Sequence, residues 1–367
     1  MEYSKPISSE THNAPQHLDL RIHTSRVGLY PQPLDNITSD TLAQSAMTAA
    51  PPDAFTCLLR GLLDDFLLYS RQEHSQWLVD IAHDICDPAL KRGSLHVWDA
   101  AEETWKNVNA ADPLIASTYL YQVQDVVALS KISERAGKSK TSVSGNASTM
   151  GTHVKQRDGK CWVSGSRDPL INSHVCPKRM GDHLLRIVCN NFVSTHAPSD
   201  LSIYDEICGI SLSPTLDKWF DSYELGLRFV STNEYECHSF LPSGWPLELE
   251  RTIYGSWDTP THIPLLHGYK TSPPQPQKAN NPPPGLIRWH YLQCVIRKFA
   301  HSDYRNLQNI HYYELPLRME GDSDDEGTDS EFEWPSAVLD RGRAMRAEIE
   351  RLEEHQKFVE NWVTAAS

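Results

Sequence analysis

The sequence predicts an α+β protein in which a helical N-terminal region and a helical C-terminal tail flank a central domain of short strands and helices. Leucines spaced i, i+4 mark the N-terminal helices, and short apolar segments bounded by turn residues mark the strands of the centre. Proline-rich and acidic runs then divide the chain. The 367 residues suffice for two modest domains, and 24 prolines, gathered mostly outside the apolar stretches, place connectors between them.

Residues 1–52 are polar, lack sustained periodicity and are expected to be disordered. Residues 53–136 are predicted to be helical. Leu58, Leu59, Leu62, Leu63, Phe66 and Leu67 form one stripe, and Trp77, Leu78, Ile81 and Ile85 form a second. A third helix is predicted to start at Asp112-Pro113 and run through Leu120, Val123 and Val127, with aspartate at the N-cap and proline at the first helical position. A polar connector follows from Gly137 to Thr152.

The central domain is assigned to residues 150–245. Lys160 to Ser164 reads as a strand, Gly165 to Asp168 as a turn, and Leu170 to Val175 as the returning strand. A helix is expected from Met180 to Asn190. Ser213-Pro214 opens another that buries Leu216, Trp219 and Phe220. Strands from Leu225 to Val230 and from Tyr235 to Phe240 complete the domain. Residues 246–313 hold a Pro-rich linker and a helix from Leu286 to Phe299, packing near the domain. Residues 314–335 are an acidic disordered linker. Residues 336–367 form a charged helix whose stripe of Met345, Ile349, Leu352, Val359 and Trp362 suits docking on the domain, self-association or a partner helix.

No apolar run approaches the roughly 18 residues of a membrane span, and no secretory signal is evident, so an intracellular protein without a membrane partner is expected. The eight cysteines form no C-x-x-C pair, and buried reduced thiols are the favoured reading. The net charge of −14 is unevenly spread. Glu320 to Glu333 holds eight acids and no base, whereas Lys131 to Arg186 holds eleven Lys/Arg against four Asp/Glu, a local +7. A basic face of that kind suits a phosphate backbone despite the acidic total.

The chemistry-bearing stretch reads Arg157-Asp158-Gly159-Lys160-Cys161-Trp162-Val163-Ser164-Gly165, then Ile171-Asn172-Ser173-His174-Val175-Cys176-Pro177. Cys208-Gly209-Ile210-Ser211-Leu212 and Leu216-Asp217-Lys218-Trp219-Phe220-Asp221 follow. In this order and spacing the segments resemble the HNH endonuclease-like domain of many fungal proteins, where "RDxxCxVTG", "AHxxP", "NGIxL" and "LHxxFD" occur in succession. Leu286-Ile287-Arg288-Trp289-His290-Tyr291 resembles a segment that often follows it.

The resemblance implies a ββα-metal fold and a hydrolase that cleaves phosphodiester bonds, in DNA before RNA. It implies that His174 is the general base, a task suited to a group titrating near neutrality. Two positions depart from the family pattern. The family asparagine that orders the site is Cys208, and the metal-ligating helix histidine is Asp217. Asp217 and Cys208 are therefore the candidate metal ligands. Aspartate favours Mg²⁺ or Mn²⁺, and the softer cysteine leaves Zn²⁺ as the lesser alternative. Ser173 offers a hydroxyl where some nucleases carry an acid. The thin ligand set keeps a second expectation open, a catalytically inactive HNH-derived module that binds nucleic acid or protein. A third is an interaction protein built on its helices.

Overall fold

The computed structural model describes residues 16–24, 50–71, 74–123, 129–130, 132–133, 146–193, 197–241, 266–276 and 278–306. It mixes helices with sheets, as expected of an α+β chain. The acidic linker and the C-terminal helix expected over 314–367 lie outside the described residues. Two units are distinguished. One comprises Met1–His83, Arg92–Val127 and Phe299–Gln308, and the other Asp84–Lys91, Ala128–Lys298 and Asn309–Ser367.

The first unit corrects the expectation of an all-helical region over 53–136. It contains a five-stranded sheet of β1 (His17–Thr24), β2 (Thr56–Leu62), β3 (Ser94–Asp99), β4 (Thr104–Asn107) and β5 (Thr118–Val123), in the order β2-β1-β5-β3-β4. β1 lies within the stretch expected to be disordered. It is buried on both faces, with Leu18, Leu20 and Ile22 on one side and the ion-paired Asp19 and Arg21 on the other. The leucine stripe from 58 to 67 is split. Cys57, Leu58 and Leu59 are buried within β2, antiparallel to β1, and only Leu63–Ser70 is helical (α1). The helix expected from Asp112 is also absent. Asp112 accepts hydrogen bonds from Asn109 at a turn, and Thr-Tyr-Leu-Tyr-Gln-Val forms β5 parallel to β1. Short apolar runs fit either period, and strand pairing with a segment about a hundred residues away decided between them.

The second helical stripe does form a helix, α2 (Gln76–Cys86), with Trp77, Leu78, Ile81 and Ile85 buried. Within the first unit Phe66 and Tyr69 of α1 pack on Trp77, and Phe66 stacks on Phe299 with ring centroids 4.4 Å apart. On β1, Asp19 accepts from Arg60 Nε of β2 at 2.7 Å, and against the opposing effect of burial the Arg60 guanidinium, with Arg21, holds this buried carboxyl below its ordinary range.

The second unit holds helices α3 (Asn146–Asp158), α4 (Gly181–Phe192), α5 (Pro214–Asp221) and α6 (Pro284–Phe299), with residue 299 counted in the first unit. A two-stranded antiparallel sheet pairs β6 (Ile171–His174) with β7 (Gly209–Leu212). A second sheet has the order β10 (Lys270–Thr271), β9 (Glu234–Ser239), β8 (Leu225–Ser231). The expected helices at 180–190, 213–220 and 286–299 and the expected strands at 225–230 and 235–240 are present within a few residues. The strand expected from Lys160 to Ser164 is a turn instead, with Gly165 N–H donating to Cys161 carbonyl, so β6 finds its partner in β7. The connector expected before it contains most of α3. The Pro-rich segment is irregular, as expected, but packed: Pro282 and Pro283 are buried and Asn281 Nδ2 donates to Gln275 carbonyl at 2.8 Å.

A buried polar group spans this unit's second sheet and α6. His238 of β9 is fully buried, with Nδ1 2.7 Å from the Tyr291 hydroxyl of α6 and its ring stacked on His267. Its Nε2 approaches Glu236 at 3.4 Å, and Arg228 of β8 is buried nearby, across from Glu236. Burial, with smaller contributions from His267 and Arg228, pushes the imidazole down to about 4 against the opposing pull of Glu236. The folded value lies below the unfolded one near 6.5, so the stabilisation is complete above pH 6.5 and is lost as pH falls from 6.5 towards 4. We expect the native chain to lose roughly 2–3 kcal/mol more between pH 7 and pH 4 than His238→Gln does, measured by urea unfolding at each pH. Equal slopes for the two proteins would show that His238 does not carry the effect.

Candidate active site

The strand β6 presents Ser173 and His174 in succession, so their side chains leave opposite faces of the two-stranded sheet. Ser173 faces α5. Its buried hydroxyl donates to Asp217 Oδ1 at 2.7 Å. The register that makes this possible pairs Ser173 with Ile210 and His174 with Gly209, so β7 leads directly into the turn that starts α5. Pro214 fixes the first helical residue of α5, while Ser213 supplies no side-chain cap. Asp217 lies in the first turn, where the exposed helical N–H groups favour a carboxylate. It is partly exposed, whereas His174 is 6% exposed.

The third sequence candidate lies beside the end of β6, where its carbonyl accepts the Val175 N–H at 2.9 Å, but its side chain turns elsewhere. Cys208 closes a single turn of 3-10 helix (Glu206–Cys208) before β7 and is completely buried. Its Sγ points to the Ser202 carbonyl at 3.6 Å, and burial, with Cys189 and Cys176 nearby, raises the thiol well above its ordinary range. That environment holds a neutral thiol. All eight cysteines are buried and none is in a disulfide. The Cys161 sulfur accepts the Ser164 N–H at 3.3 Å, which closes the turn after α3. His183 is exposed on α4, and His196 lies outside the described residues.

Two residues of the motif that carried no expected role brace the candidate site. Arg157 and Asp158, at the end of α3, form a buried pair with Arg157 Nε 2.8 Å from Asp158 Oδ1. The other Arg157 nitrogens donate to the carbonyls of Glu206, Asn280 and Gly209, each at 2.8 Å. Asp158 Oδ2 accepts the Ser211 N–H, also at 2.8 Å. A two-stranded ribbon leaves its outer backbone groups without a ladder, and these side chains bond them as a third strand would. No sequence signal could have revealed this, because the partners are backbone atoms 49 to 123 residues away. On the opposite side of α5, the ring of fully buried His290 lies parallel to Phe220 at 3.6 Å, with Nε2 3.0 Å from the Phe220 carbonyl. Tyr204 was likewise not singled out by sequence, yet its ring stands edge to face with His174, centroids 6.3 Å apart.

Among the described residues no group of three or more His, Cys, Asp and Glu side chains is placed to hold a metal ion. The Ser173 and Asp217 oxygens suit a hard cation of the Mg²⁺ type, which binds through one or two carboxylates and keeps much of its water. Cys208 does not fit that donor set. No described helix is long and apolar enough to cross a membrane. No family model matches the chain, and no curated protein or solved structure is similar to it, so its family reading rests on these residues alone.

Proposed function

We propose that residues 150–245 form an HNH-type ββα unit that hydrolyses phosphodiester bonds in DNA, with His174 as general base and Asp217 as ligand of Mg²⁺ or Mn²⁺. The observation that carries this reading is the Ser173–Asp217 hydrogen bond. It joins the residue preceding the candidate base to the helix position that, by resemblance, faces the metal. His174 leaves the other face of the same strand end, so for it to accept a proton from the attacking water the substrate must reach it around the end of β6. A bound cation would supply charge stabilisation at the phosphate and the leaving 3′-oxygen. Asp217 would hold that cation, and Ser173 fixes one carboxylate oxygen of Asp217. Lys218 on α5, with Lys178 and Arg179 just beyond β6, is exposed and positively charged, the chemistry that a phosphate backbone requires.

Nicking of supercoiled plasmid by the full chain tests this. Activity is expected with Mg²⁺ or Mn²⁺, falling about a hundredfold or more in His174→Ala and in Asp217→Ala. Absence of metal-dependent nicking by the native chain overturns the hydrolytic reading. A second reading, an inactive HNH-derived module, is favoured by the burial of His174 and by the inward-facing Cys208 thiol. It predicts salt-sensitive DNA retention without cleavage, unaffected by Asp217→Ala.

A further inference from the structure

We propose that the Tyr204 ring is a gate on His174, closed in this structure and opened by side-chain rotation. As a device regulating catalysis, the gate rests on the assignment of His174 as the base; as a shield on the imidazole, it stands on geometry alone. His174 is 6% exposed although it ends a short strand, where a histidine would ordinarily meet water. Its ring packs edge to face against Tyr204, with an interplanar angle of 87°, and Tyr204 itself remains partly exposed. The tyrosine is thus a ring that packs on the imidazole and itself meets solvent.

The backbone that carries Tyr204 is pinned on both sides. Leu201, Ile203, Ile207 and Cys208 are all buried to 2% exposure or less. Asp182 Oδ1 at the start of α4 accepts the Ile203 N–H at 2.8 Å and the Ser202 hydroxyl at 3.2 Å, and Asp205 Oδ2 accepts the Ser202 N–H at 2.9 Å. The Tyr204 N–H is itself satisfied by the Ser202 hydroxyl. A loop fixed in this way does not lift as a whole. The ring is its movable part, and among the described residues its hydroxyl has no hydrogen-bond partner to hold it. Rotation about χ1 would break no hydrogen bond and would expose the imidazole to water and to a phosphate. The ring leaves room for a substrate only when displaced, so the gate also excludes water from the imidazole between encounters.

Carbethoxylation by diethyl pyrocarbonate, mapped by peptide mass spectrometry on the intact chain, reads the shield directly. The exposed His153 and His183 serve as internal references. In the native protein His174 is expected to react about tenfold or more slowly than His153, at a rate limited by opening. Tyr204→Ala is expected to bring it close to the reference rate, and Tyr204→Phe, which keeps the ring, to leave it slow. A native His174 as reactive as His153, or a His174 that stays slow in Tyr204→Ala, overturns the gate; the first outcome needs no variant to fold. Plasmid nicking on the same preparations separates the two ideas. Faster nicking by Tyr204→Ala extends the gate to catalysis. An opened His174 with no nicking by any variant leaves the shield standing and removes the hydrolytic role.

Discussion

Gly285→Ala is expected to destabilise the larger unit by about 3 kcal/mol or more, although it replaces glycine with the best helix former inside a helix. Gly285 lies in the first turn of α6, where its backbone meets the end of α4. A β-carbon there would overlap the carbonyl oxygen of Phe192, and would stand 2.5 Å from its carbonyl carbon and 3.0 Å from Val193 N. The obstruction is backbone, which no rotamer change relieves, so α6 and α4 must separate. Separation also disturbs the Arg288 guanidinium over the Phe192 ring, whose Nε lies 3.0 Å from Asp84. Gly151→Ala supplies the contrast. Gly151 is also helical, in α3, but its β-carbon would meet Asn172 at 3.8 Å, an ordinary contact. Alanine there should stabilise by roughly 0.5–1 kcal/mol. Urea midpoints of the two variants should therefore move in opposite directions. A Gly285→Ala midpoint at or above the native value would show that the two helices do not meet through their backbones.

Arg157→Ala is the second large effect. The substitution leaves the Asp158 carboxylate, which has no side-chain exposure, without its counter-charge. It also removes the donor to three carbonyls. Breaking a buried pair from one side costs about 3–5 kcal/mol, a large fraction of the stability of an ordinary domain, so the denaturant midpoint of the larger unit should fall steeply. Arg157→Lys should recover little, because a single ammonium cannot span a carboxylate and three divergent carbonyls. The double variant Arg157→Met, Asp158→Leu removes both charges and should be more stable than Arg157→Ala. It should remain below native, since Ser211 N–H and the carbonyls still lose their partners. Denaturant unfolding of the three proteins tests the order. A double variant no better than the single one would mean that the charge pair contributes little beyond its bonds to the backbone.

The contrast between these residues and His174 explains what was legible in the sequence. The central helices and the β8–β9 hairpin were readable because their signals are local: proline after serine at 213–214, alternating apolar residues, and a turn at Thr232-Asn233 in which Asn233 adopts positive φ. His174 and Asp217 are candidates from motif order, and the structure joins the strand that carries one to the helix that carries the other through Ser173. The N-terminal sheet was not readable. β1 and β5 are ambiguous segments about a hundred residues apart, and they are strands through pairing with each other and with β2 and β3 on their outer sides. The same holds for Arg157 and Asp158, whose charged side chains would ordinarily be assigned to solvent.

The Arg157 bond to Asn280 has a practical consequence for where the chain can be cut. The motif that spells the site ends near residue 221, and the domain expected from sequence ends at 245, yet one of the three carbonyls on the guanidinium comes from beyond both. His290, stacked on the helix that carries Asp217, comes from further still. A fragment stopping at 245 would carry every residue of the motif while its central arginine faced a missing acceptor and Phe220 a missing lid. The smallest piece that can be excised with these contacts of the candidate site intact extends through α6.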